Sequence, residues 1–89
     1  MAAGVRLNPD ALEWRQVEGE IVALDLGAHE YVSVNRTGTA IWSSLAEGAT
    51  RDQLAGALAE RFGIGVEDAA RDVDAFLAQL SERGLLEDV

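Results

Sequence analysis

One histidine, His29, and a few serines are all that the 89-residue chain offers for nucleophilic chemistry. Ser33, Ser43 and Ser44 could attack an electrophile only with a general base and a group to orient that base. His29 would have to be that base, and nothing in its surroundings recruits it. It reads as a surface residue at a turn. There is no cysteine, which removes disulfides, thiolate metal sites and a cysteine nucleophile together. Carboxylates are plentiful, with Glu67, Asp68, Asp72 and Asp74 in close succession. On a helix, Glu67 and Asp74 fall on one flank and Asp68 and Asp72 on the other, as in a solvated acidic helix; docking of a basic partner is the alternative. No calcium-loop spacing and no Glu-x-x-His pair accompanies them. Gly38 and Gly48 read as helix-boundary glycines, not as a phosphate cradle. These residues predict no catalysis, no cofactor and no metal.

Composition narrows the remaining classes. Residues 1–89 predict a single small domain, 48% hydrophobic, that buries roughly 60–65% of its unfolded surface. No apolar run approaches the roughly 20 residues of a membrane span. The start, MAAGVRLNPD, lacks the basic and apolar regions of a signal peptide, so a cytoplasmic location is expected. Net charge is −9, and all seven basic residues are arginines. Such a surface repels nucleic acid and anionic lipid, so neither is an expected partner.

The elements that would carry a site change period along the chain. Val5 and Leu7 alternate before the turn cluster Asn8-Pro9-Asp10. Residues 12–17 form an extended segment. In EIVALDL, Val22, Leu24 and Leu26 share one face, and Ile21, Ala23 and Asp25 the other. Residues 29–34 form the last strand, in which Tyr31, Val32 and Val34 favour extended backbone. Short turns join these segments, which predicts an antiparallel meander of three strands, or four. From Thr37 the period becomes 3.6. Asn35 or Thr37 caps a helix whose inner face is Ala40, Ile41, Trp42 and Leu45, and Gly48 stops it. Thr50 and Gln53 make a capping box for a second helix, which buries Leu54, Leu58 and Phe62 and ends at Gly63. Gly65 opens a third, with Val66, Ala69, Ala70, Val73, Phe76, Leu77 and Leu80 on one face; Gly84 ends it, and Leu85 and Leu86 fold back onto the core. Trp42 belongs to the core, whereas Trp14 fits core or rim equally. Strands followed by helices predict an α+β fold.

A three-stranded sheet with three helices suggests a winged helix-turn-helix, a fold that often binds DNA. A recognition helix needs Lys and Arg toward the groove. Here the third helix carries Glu67, Asp68, Asp72, Asp74 and Glu82 against Arg71 and Arg83. DNA binding is disfavoured.

The stretch Asn35-x-Thr37-Gly38-x-x-Ile41-Trp42-x-x-Leu45-x-x-Gly48-x-Thr50 follows directly on the last strand. Asp72-Val73-x-x-Phe76-Leu77-x-x-Leu80-x-x-x-Gly84-Leu85-Leu86 closes the chain. Together, over residues 14–86, they resemble PqqD-like proteins, recognition elements that bind the leader peptides of ribosomally made, modified peptides. As a small free-standing chain it looks most like the recognition protein of lasso-peptide clusters. The resemblance implies a winged helix-turn-helix turned from nucleic acid to peptide. In it the leader peptide adds as an antiparallel strand beside the last strand, in a groove against the third helix. The implied binding residues are Glu30, Tyr31, Val32, Ser33 and Val34 on the strand, with Ala69, Asp72, Val73, Phe76 and Leu77 on the helix. The implied partners are a precursor leader peptide and a leader peptidase or other modifying enzyme. Two alternatives stand beside this. One is a PQQ-type chaperone presenting its peptide to a radical enzyme; the other is an acidic winged-helix regulator or DNA mimic.

Overall fold

A computed structural model describes residues 4–89. Six strands and three helices follow in the order β1 (Gly4–Leu7), β2 (Leu12–Val17), β3 (Glu20–Asp25), β4 (Glu30–Val32), α1 (Arg36–Glu47), β5 (Ala49–Thr50), α2 (Arg51–Phe62), α3 (Val66–Glu82) and β6 (Leu86–Asp88). The expected α+β class holds, with antiparallel strands ahead of three helices. The strands divide into two sheets, ordered β2-β3-β4 and β5-β1-β6.

The first sheet is the expected meander. Glu18 and Gly19 both have positive φ, 52° and 81°, which is the two-residue hairpin turn whose twist matches that of its strands. It sets Val17 opposite Glu20 and Trp14 opposite Ala23. At the next corner the buried Asp25 carboxylate accepts hydrogen bonds from the Gly27 and Ala28 N–H groups, both at 3.1 Å. His29 sits in this turn with φ 56°. The last strand is therefore shorter than residues 29–34: it spans Glu30–Val32, because a left-handed residue at one end and the Asn35 helix cap at the other take up the flanking positions. Val34 lies beyond the ladder.

The second sheet corrects the reading of residues 5–7. They do not extend the meander; β1 pairs instead with β5 and, through Val5 opposite Asp88 and Leu7 opposite Leu86, with β6. Leu85 folds back as expected and is fully buried, and the chain after it becomes a strand.

The helices follow their caps. The Asn35 side chain accepts from Gly38 N at 2.8 Å, so Asn35, not Thr37, caps α1. The Thr50–Gln53 capping box is present in both directions, and Gly63 ends α2 in the left-handed conformation. Ile41, Trp42 and Leu45 of α1, Leu54 and Leu58 of α2, and Ala69, Val73, Phe76 and Leu80 of α3 meet in one core with Leu12, Ala23 and Val32 of the sheet. Each fully buried large aliphatic or Phe side chain contributes about 1.5–3 kcal/mol. Val66, expected on this inner face, is exposed at the first turn of α3.

Candidate functional site

β4 has β3 on one side and no strand on the other. Which of its backbone groups face the free side follows from the ladder. In a two-residue hairpin the residues flanking the turn exchange both hydrogen bonds, so Glu20, Val22 and Leu24 direct their N–H and C=O toward β2. The Leu26 N–H, which donates to Ala11 O at 2.9 Å, continues the same alternation. Ile21, Ala23 and Asp25 therefore face β4. Since Ala23 opposes Val32 and Asp25 opposes Glu30, those two residues of β4 are turned inward. The N–H and C=O of Tyr31, and those of Ser33 just after it, face away from the sheet. Side chains alternate the other way. Val32 is buried on the inner face, whereas the Tyr31 ring stands 75% exposed on the outer face above Leu24.

α3 forms the opposite wall and runs antiparallel to β4. Near its C-terminal end the Arg83 guanidinium lies 3.4 Å from the Asp25 carboxylate and 3.6 Å from that of Glu30. Four residues earlier, Gln79 Nε2 reaches the Ser33 carbonyl at 3.5 Å, the outer limit of a hydrogen bond. That carbonyl is one of those the ladder turns outward. The flank of α3 toward β4 thus carries Asp72, Phe76, Gln79 and Arg83, at i, i+4, i+7 and i+11.

Of the helix residues expected in a site, Ala69, Val73 and Phe76 are buried in the core, and Asp72 is exposed with no ion-pair partner among the described residues. Leu77 is half-buried on the other flank, beside Asp74, whose carboxylate is held by Arg51 of α2 at 2.5 and 2.8 Å. The hydrogen bond and charge of Arg51 keep the Asp74 carboxyl below its ordinary pKa. Phe76 explains one glycine: a Cβ on Gly38 would stand 2.4 Å from its ring, so the first turn of α1 approaches α3 only because residue 38 has no side chain. Sequence reasoning missed Gln79 and Arg83. The available signal was their helical spacing from Asp72 and Phe76, which places all four on one flank.

Among the described residues no group of three or more His, Cys, Asp or Glu side chains could hold a metal ion. His29 is exposed, far along the chain from any serine it could serve as base except Ser33.

The family model for coenzyme PQQ synthesis protein D (PqqD) matches residues 20–86, most of the chain. The chain belongs to the PqqD family. This PqqD-family chain is 35% identical over 87 residues to the "PqqA binding protein" of Rhizobium meliloti (strain 1021), covering 98% of this chain and 82% of that one. It also resembles two solved structures. One, TbiB1 in complex with the TbiA(beta) leader peptide, superposes with a TM-score of 0.81 at 28% identity, over 92% of this chain and 94% of the other. The second, lasso peptide synthetase B1 complexed with the leader peptide, gives 0.77 at 29% identity, over 93% and 96%.

Proposed function

We propose that this PqqD-family chain is a non-catalytic recognition element that binds the leader peptide of a ribosomally made precursor and delivers it to a leader peptidase. The observation that carries this is the free edge of β4, where the N–H and C=O groups of Tyr31 and Ser33 face a groove walled by α3. An extended peptide completes such an edge by main-chain hydrogen bonds, which give affinity tolerant of sequence. Paired antiparallel to β4, the leader enters beside Ser33 and leaves beside Glu30. Its residues opposite Tyr31 and Ser33 point to the outer face. Those opposite Val32 and Val34 point inward, toward the flank of α3 that exposes Asp72 and Gln79 over the buried Ala69 and Phe76. Val73 and Leu77 support that wall from behind. The solved relatives, both leader-peptide complexes by name, favour the same use of the fold.

Fluorescence-polarisation titration with labelled leader peptides of the lasso-peptide and PqqA types tests the reading. Saturable binding that is insensitive to moderate salt is expected, because strand pairing and apolar contact respond little to ionic strength. Absence of binding, or a mass change in the precursor on incubation with this protein alone, overturns it. A second reading has specific support: the family model named for PQQ synthesis and the relative named for binding PqqA favour a peptide of PQQ type, which the chaperone alternative presents to a radical enzyme. Pull-down with each class of enzyme in the presence of leader separates the two.

A further inference from the structure

The β2-β3-β4 sheet has a second free edge, on β2, and it is twice as long as the first: six residues against three. The alternation that turns Glu13, Arg15 and Val17 toward β3 leaves the N–H and C=O groups of Trp14 and Gln16 facing outward. From Glu13 to Val17 every side chain is exposed, and no proline or bulge interrupts the edge. Natural sheets protect edges of this length or use them. Glu13 and Arg15 stand on the outer face, and neither has an ion-pair partner among the described residues. Trp14 stands on the inner face between them, edge-on to Trp42 at 5.8 Å yet 40% exposed. Beside it lies a cavity of about 600 Å³, lined by Leu7, Pro9, Leu12, Trp14 and Ala46 together with the charged Arg6 and Glu13.

We propose that β2 is the surface through which two copies of this chain associate, by antiparallel pairing of β2 with β2 about a twofold axis at Trp14. Register and charge select this arrangement. Only residues of equal parity can face one another, because both must present outward backbone groups. A twofold at Glu13 or Arg15 would set like charges directly opposite, which destabilises a pair. A twofold at Gln16 leaves Glu13 and Arg15 unpaired and shortens the ladder. A twofold at Trp14 sets Glu13 of each copy opposite Arg15 of the other in the closely spaced, non-hydrogen-bonded position, and makes two ion pairs. It also joins two exposed tryptophans at the centre of the contact, the residue type that most often anchors an interface. The cavity leaves room on the inner face for the Gln16 side chain of the partner. The net −9 of each copy opposes association at long range, but charges more than about 8 Å apart are largely screened at physiological salt, whereas the contact pairs are not. The product is a continuous six-stranded sheet with β4 at both ends, so each copy keeps its peptide edge free.

Sedimentation equilibrium of the full chain at physiological salt, over a wide concentration range, tests this without any peptide. The parent is expected to show a monomer–dimer equilibrium. Glu13→Arg should raise the dissociation constant at least tenfold, by placing Arg against Arg, and should leave the circular-dichroism melt unchanged at concentrations low enough for both proteins to be monomeric. Exchanging the two charges, Glu13→Arg with Arg15→Glu, should restore the dimer. A parent that stays monomeric throughout overturns the proposal, as does a Glu13→Arg variant that dimerises like the parent or a charge exchange that fails to recover it. None of these outcomes bears on peptide binding at β4.

Discussion

The two walls of the groove are built for different work. β4 offers backbone: three residues, of which only Val32 is committed to the core, with the groups of Tyr31 and Ser33 left without a strand partner. α3 offers side chains, and the apolar ones are already spent on the core, for Ala69, Val73 and Phe76 are buried. Binding through the first wall costs the fold little to alter, whereas a change to the buried apolar residues of the second is first a change in stability.

Proline substitutions break this comparison most sharply. Val32→Pro removes an inward N–H and a buried side chain together, and should destabilise the chain by on the order of 3 kcal/mol, read as a collapse of the thermal melt. Tyr31→Pro and Ser33→Pro remove only outward N–H groups, so the melt should survive. Their leader affinity should fall at least tenfold, or about 1.4 kcal/mol, by polarisation titration. Proline variants that fold and bind like the parent would remove β4 from the site.

The helix wall should answer in the opposite order. In an open helix Gly38→Ala would stabilise by about 1 kcal/mol. Here the added methyl meets the Phe76 ring, and overpacking of about 1–3 kcal/mol wins. The chemical-denaturation midpoint should drop, and leader affinity should drop with it because the displaced ring borders the groove. Arg83→Met is milder. Asp25 keeps its two backbone donors, so a loss of about 0.5–1 kcal/mol is expected at neutral pH.

The smallest effect belongs to the far flank of α3, which serves as a control. Asp74 has a folded pKa below its unfolded one, so the stability from its pair with Arg51 is fully present above the unfolded value and is lost as pH falls through the folded value. The gap in melting temperature between the parent and Asp74→Asn should therefore be constant from neutrality down to about pH 5, and close only below about pH 4. Leader affinity should not change.

What the sequence disclosed was local. The Thr50–Gln53 box, the Asn35 cap and the apolar spacing of α2 and α3 depend on residues three or four apart, and they appear in the structure nearly as read. The β5-β1-β6 sheet was illegible because its pairs, such as Val5 with Asp88, join opposite ends of the chain through strands of two to four residues. The site was half legible. Residues 30–32 were recognisable as strand, but the end at His29 depended on a positive φ in the turn after Asp25, and Ser33 and Val34, read as strand, lie beyond the ladder. Which backbone groups face outward could not be read from β4 at all, since that parity is inherited from the Glu18-Gly19 turn through two registers.

The contact between Gly38 and Phe76 also bears on how such a protein can change its preferences over generations. A ring that stops one helix against another cannot grow without pushing the helices apart at residue 38, and cannot shrink without leaving a cavity, so substitution at either position is first a loss of stability. Under the proposed mode of binding, a change of peptide preference that spares the fold falls at the solvent-exposed margin, at Tyr31, Asp72 and Gln79. There each substitution is nearly neutral to the fold and can be sampled alone.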